Sequence, residues 1–94
     1  MYSSRQFVNQ SSFTVDVFSG NFTAIFYISS YTSSGKNGQM VVYIKRHNGD
    51  LHYYPVPMAE TTDLISSVTG SGDTLTVRLT ITRSWYVDGY AIAT

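Results

Sequence analysis

Cysteine is absent from this 94-residue chain. That excludes a disulfide framework and any thiolate metal site. Charge is scarce as well: 13% of residues are charged, and six cations balance six anions. Such a neutral chain lacks the basic footprint of a nucleic-acid binder and the polybasic patch of a membrane-surface protein. No apolar run approaches the length of a transmembrane helix. No apolar segment follows Met1-Tyr-Ser-Ser-Arg-Gln6 as a signal peptide requires. The sequence contains no Gly-x-Ser-x-Gly, no His-Glu-x-x-His and no phosphate-cradling loop. Thr69-Gly-Ser-Gly-Asp73 is glycine-rich but lacks the lysine and following helix of a P-loop, so it reads as a turn. The expectation is a non-enzymatic chain with no cofactor and no metal centre.

Tyrosine, phenylalanine, serine and threonine are plentiful, and these types suit pleated strands and tight turns. Apolar residues at 43% argue for a folded core. Ser12–Phe18 alternates Phe13, Val15 and Val17 against Thr14 and Asp16. Phe22–Ser30 is apolar on both faces, with Phe22, Ala24, Phe26 and Ile28 on one and Ile25 and Tyr27 on the other. Leu75, Val77, Leu79 and Ile81 alternate with Thr74, Thr76, Arg78, Thr80 and Thr82 in a strict period of two. Ser84–Ala93 closes the chain, with Asp88-Gly89 read as a turn or bulge. Thr32–Gly38 and Met58–Thr62 read as connections, and Asp63–Val68 as a short strand or a helical turn. These patterns predict an all-β domain of about six to seven strands, a single antiparallel β-sandwich or jelly-roll-like barrel over residues 12–94. Residues 1–11 read as an N-terminal arm or linker.

The sharpest local signal is Asn48-Gly49 between two alternating runs. A type I′ hairpin turn needs positive φ at both central residues, which Asn-Gly supplies. The register then sets His47 opposite Asp50, Lys45 opposite His52 and Tyr43 opposite Tyr54, all on one face. Val42, Ile44, Leu51 and Tyr53 take the other face. Pro55 and Pro57 end the second strand and suggest an edge. Tyr43 and Tyr54 are candidates for a stacking platform, with Lys45, His52, His47 and Asp50 as polar neighbours. Two histidines and a carboxylate also suit a divalent metal. Yet His47 and His52 are diagonal neighbours, about 7 Å apart at Cβ, and Lys45 repels a cation. A solvated hairpin end, with Lys45 and Arg46 guarding an edge, is the plainer alternative.

Several strands have no wet face. Ile25, Tyr27, Val41, Trp85, Tyr90 and Ile92 exceed what one small core absorbs, and surplus apolar surface marks interfaces. These six are candidates for a contact between copies in a homo-oligomer, closed as a dimer or trimer, or for docking to another domain.

The closing strand Trp85-Tyr-Val-Asp-Gly-Tyr-Ala-Ile-Ala-Thr94, in a cysteine-free, low-charge domain rich in Tyr, Ser, Thr and Gly, resembles the C-terminal receptor-binding domains of phage tail fibres. The resemblance covers most of the chain in style, without a diagnostic motif, and assigns no individual residue. It implies a compact sandwich, often trimeric, that grips a host-surface glycan or receptor from a virion or in an extracellular setting. A structural virion subunit, with its apolar faces used for assembly, is the alternative.

Overall fold

The computed structural model describes residues 2–30, 39–58 and 65–94, with side chains described over 6–30, 39–57 and 65–94. The expected loop at Thr32–Gly38, the 59–62 part of the expected connector and the first two residues of Asp63–Val68 lie outside the described residues. Six strands form: β1 (Tyr2–Asp16), β2 (Phe22–Ser30), β3 (Gln39–His47), β4 (Asp50–Met58), β5 (Ile65–Ser71) and β6 (Thr74–Ala93). All pair antiparallel in one sheet of order β1-β6-β2-β3-β4, with β5 also on β6. The all-β, antiparallel expectation holds. The sheet is continuous, and β4 approaches β5, so it curls around its own inner face.

The spine is β6. One of its edges pairs with β1 along nearly its full length. Its other edge pairs first with β5, from Thr74 to Leu79, and then with β2, from Trp85 to Ala93. A straight strand of this length would run to roughly 65 Å, but the molecule's longest axis is 42 Å. The strand therefore bends. The bend is built into the register: Gln10 pairs with Arg83, whereas Ser12 pairs with Arg78, so β6 carries extra residues between 78 and 83. Extra residues on one strand of a pair kink it and raise its twist. Asn9, at φ 51°, sits on the β1 side of this irregularity.

Alternation does the rest. Phe22, Ala24, Phe26, Ile28 and Ser30 point inward from β2, and Met40, Val42 and Ile44 from β3. Leu75, Val77, Leu79, Trp85 and Val87 of β6 join Phe13 and Val15 of β1 in the same cluster. Each fully buried side chain of this size contributes about 1.5–3 kcal/mol. Trp85 is 0% exposed. Its indole N–H donates to the Gln10 carbonyl at 2.8 Å, at the register shift. Trp85 therefore belongs to the core, and its place among the candidate interface residues is corrected. Trp85 and Val87 continue the inward alternation of Leu75, Val77 and Leu79, whereas Tyr86, Tyr90 and Ile92 point outward.

Other local readings change as well. Residues 2–11 are the first part of β1, paired to β6, where an arm or linker was expected. Asp88-Gly89 makes no turn but runs within β6 opposite Tyr27 and Phe26 of β2, and on its other side lies at the register shift between the pairs Tyr2–Gly89 and Arg5–Val87 of the β1–β6 ladder. A Cβ on Gly89 would lie 2.7 Å from the Phe26 ring and collide with the Ile25 carbonyl, so the glycine lets β2 close on β6. The ambiguous segment after residue 63 is, from Ile65, strand β5. It ends in the two-residue turn Gly72-Asp73, where Gly72 has φ 59°. The Asn48-Gly49 turn has φ 51° and 85°, as a type I′ turn needs.

Arg46 does not guard an edge, because β3 is flanked by β2 and β4. It is half-buried on the inner side, with its guanidinium 5.2 Å from the Phe22 ring centroid. Its Nη1 donates to the carbonyls of Phe18 at 3.0 Å, Ser19 at 3.3 Å and Gly72 at 3.2 Å. One side chain thus ties the β1–β2 loop to the β5–β6 turn. Gly70 leaves the space that this guanidinium fills. The hairpin tip joins the same end of the molecule, since Asn48 N–H donates to Asn21 Oδ1 at 2.9 Å.

Gly89→Ala is expected to lower unfolding stability by about 1–3 kcal/mol, the range for overpacking a close contact. Urea denaturation measures it, and an unchanged midpoint would mean that β2 and β6 are not held this close.

Candidate functional site

Inward alternation leaves a complementary set of side chains on the outer face of β6, β2, β3 and β4. The registers place them in transverse rows. Tyr90 lies beside Ile25, Ile25 beside Tyr43, and Tyr43 beside Tyr54. Asp88, Tyr27, Val41 and Val56 form the next row, and Tyr86, Ser29 and Gln39 the one beyond. On the opposite flank run Ile92, Thr23, Lys45 and His52. Neighbouring strands are about 4.8 Å apart, so the Tyr90-to-Tyr54 row spans about 14 Å.

Most of these side chains are open to solvent. Tyr43, Tyr54, Val56, Tyr86, Tyr90 and Ile92 are all exposed, with Tyr54 at 58% and Ile92 at 53%. Ile25, Tyr27 and Val41 are half-buried between their neighbours. Only two other large apolar side chains among the described residues are exposed: Val8, beside the β1 irregularity, and Phe18, in the β1–β2 loop. Scattered single apolar residues on a surface are ordinary, whereas a contiguous patch marks a contact surface.

The structure brings together two groups of residues that sequence reasoning had kept apart. The expected ligand pair Tyr43 and Tyr54 shares one row with the expected interface residues Ile25 and Tyr90. Tyr27, Val41 and Ile92 lie in the rows on either side. Lys45 and His52 are exposed and flank the tyrosine pair. His47 and Asp50 face each other at the exposed hairpin tip, one pair farther along. They border the patch from its end. Among the described residues, no group of three or more His, Cys, Asp and Glu is placed to hold a metal ion. Val56 and Tyr86 belong to the patch but escaped sequence reasoning. Val56 is two residues beyond Tyr54, and Tyr86 two pairs before Tyr90, so a period of two finds both once the strands are known.

The patch is polar at its tips and margins. Tyrosine hydroxyls, Ser29, Gln39, Thr23, Lys45 and His52 supply donors and acceptors around aromatic and aliphatic surface. Comparison with protein-family models, with curated proteins and with solved structures finds no match.

Exposure of the patch sets its energetic weight in folding. Tyr43→Ala and Tyr54→Ala are each expected to cost under about 1 kcal/mol, with a coupling of about 0.2–1 kcal/mol between them. Ile44→Ala, on the inner side of the same strand, is expected to cost about 2–5 kcal/mol. Chemical denaturation of the three single variants and the double tyrosine variant measures both. A tyrosine variant as unstable as Ile44→Ala would show that the outer face is needed to hold the fold.

Proposed function

We propose that this protein is a binding module whose outer sheet face recognises a glycan or receptor on a host surface. The observation that carries this reading is the row Tyr90, Ile25, Tyr43 and Tyr54 across four adjacent strands. Aromatic rings offer flat apolar faces to the C–H faces of sugars, and tyrosine hydroxyls keep a polar tip for hydrogen bonding. The rings stand on paired strands and lose little conformational freedom when a ligand docks. Lys45 and His52 supply hydrogen-bond donors along one margin, and Gln39 and Ser29 supply polar groups along the other. The row is long enough to meet several sugar rings in sequence. This is also the work that the resemblance to phage tail-fibre tips implies, on a virion or outside a cell, without catalysis.

A second reading has its own support. Ile25, Val41, Val56 and Ile92 interleave with the tyrosines, and aliphatic side chains add nothing to sugar stacking. They suit a protein surface, as in a structural virion subunit whose outer face is covered on assembly.

A glycan array probed with the wild-type chain and with Tyr43→Ala, Tyr54→Ala and Tyr90→Ala separates the two. Glycan recognition predicts wild-type binding that each folded tyrosine variant weakens about tenfold or more, a loss of about 1.4 kcal/mol. Binding left intact in all three variants would remove the row from ligand recognition. Absence of glycan binding, with a protein partner lost on Val56→Asp, would establish the assembly reading.

A further inference from the structure

Asn48-Gly49 closes the β3–β4 hairpin, and its own chemistry is separate from that of the outer face. Both residues are exposed, as are His47 and Asp50 on either side. Gly49 lies beyond the last ladder pair, His47 with Asp50, so its backbone N–H takes no part in the β3–β4 pairing. The space around it is open, and a Cβ built there would meet nothing within 4 Å. An asparagine followed by so uncrowded a backbone nitrogen has a reaction available: the nitrogen closes on the side-chain amide carbon in a five-membered ring. Asn9 and Asn21 are placed less well, since Gln10 and the buried Phe22 follow them. Asn37 lies outside the described residues.

The closed turn opposes that ring. Asn48 has φ 51° and Gly49 φ 85°, and in a type I′ turn the first central residue has ψ at about +30°. At that ψ the Asn48 Cβ stands almost opposite the Gly49 nitrogen across the Cα–C bond, whereas a five-membered ring needs the two eclipsed. Closure therefore requires a rotation of roughly 150° from the turn geometry, which the paired hairpin does not permit. A second restraint acts on the tip from another segment: Asn48 N–H donates to Asn21 Oδ1 at 2.9 Å.

We propose that Asn48 is a deamidation site gated by local opening of the hairpin tip, with Asn21 as its latch. In the opened tip the Gly49 amide gives its proton to hydroxide, and its nitrogen bonds to Asn48 Cγ. The side-chain nitrogen takes a proton from water and leaves as ammonia. Water then adds to either carbonyl of the succinimide and opens it to aspartate or isoaspartate. Both products place a carboxylate beside Asp50. Isoaspartate also adds a carbon to the main chain, so the two-residue turn no longer matches the twist of its strands. The hairpin so altered carries Tyr43, Tyr54, Lys45 and His52, yet the reaction does not depend on what that face binds.

Peptide mapping by mass spectrometry of the full chain, aged in mildly alkaline buffer, tests this by scoring aspartate and isoaspartate at position 48. Wild-type chain unfolded in urea sets the ungated rate. Folded wild-type chain is expected to convert at least about tenfold more slowly, the factor for an opening cost of about 1.4 kcal/mol. Asn21→Ala is expected to convert about two- to tenfold faster than folded wild type, the range for one lost hydrogen bond. Asn21→Asp keeps the acceptor oxygen and is expected to convert at the wild-type rate. Equal rates in the folded and unfolded wild-type chains would overturn the gate. Asn21→Asp as fast as Asn21→Ala would overturn the latch, and an Asn48 left wholly intact in folded wild type and in Asn21→Ala would overturn the site.

Discussion

The strand β6 is the constraint on which the structure depends. It is shared by every strand except β3 and β4, which reach it through β2. Because β5 and β2 use the same edge of β6 in succession, the strand must run through two regions of the sheet, and a flat arrangement would leave their inner faces unopposed. The extra residues between 78 and 83 solve this. They bend the β1–β6 ribbon so that Phe13, Val15, Leu75 and Val77 share one core with Phe22, Phe26, Val42 and Trp85. The bend also frees a backbone carbonyl at Gln10, and the buried Trp85 indole N–H bonds to it. A large ring thus fills the corner and satisfies the polar group exposed there, which keeps the desolvation cost of the kink small.

A curled sheet with one inner face has an unavoidable consequence. Every inward residue implies an outward neighbour, and on β2 and β3 the outward positions are themselves apolar. In a sheet of this size, threonine or lysine would ordinarily fill them, as threonine does on β6 at Thr76 and Thr80. Here Ile25, Tyr27, Val41 and Tyr43 occupy them instead, and β4 and β6 add Tyr54, Val56, Tyr90 and Ile92. The fold gains little from this surface, because much of it stays in water. The end of the molecule held by Arg46 offers the contrast. There the Arg46 guanidinium ties the loop carbonyls of Phe18 and Ser19 to that of Gly72.

Much of the local structure was legible from residue order. The hairpin at Asn48-Gly49, its register through Tyr43 and Tyr54, and the inside–outside division of β2 follow from period-two alternation and turn chemistry. The edge position of β4 followed from Pro55. What alternation cannot reveal is which strands lie side by side. The neighbourhood of Ile25 with Tyr90, and hence the union of the two candidate sets into one face, depends on β2 pairing with β6 across more than sixty residues of chain. The same long-range pairing made Gly89 look like a turn and residues 2–11 look like an arm. Trp85 was misplaced for a different reason: it shares the odd, inward positions of Leu75, Val77, Leu79 and Val87, whereas Tyr90 and Ile92, with which it was grouped, occupy the outward ones. Arg46 looked like an edge guard because its three carbonyl partners come from two segments distant in sequence.

The central claim is that this chain buries one face of its sheet and leaves on the other, across four strands, a row of aromatic and aliphatic side chains open to solvent. Hydroxyl-radical footprinting of the isolated protein tests this most directly, since it reports the solvent access of individual side chains in the folded state. The account predicts rapid oxidation at Tyr43, Tyr54 and Tyr90 and strong protection of Trp85 and Met40, although indole and thioether groups are intrinsically the more reactive. Oxidation of Trp85 or Met40 as fast as that of Tyr90, or protection of all three tyrosines in the isolated chain, would contradict it.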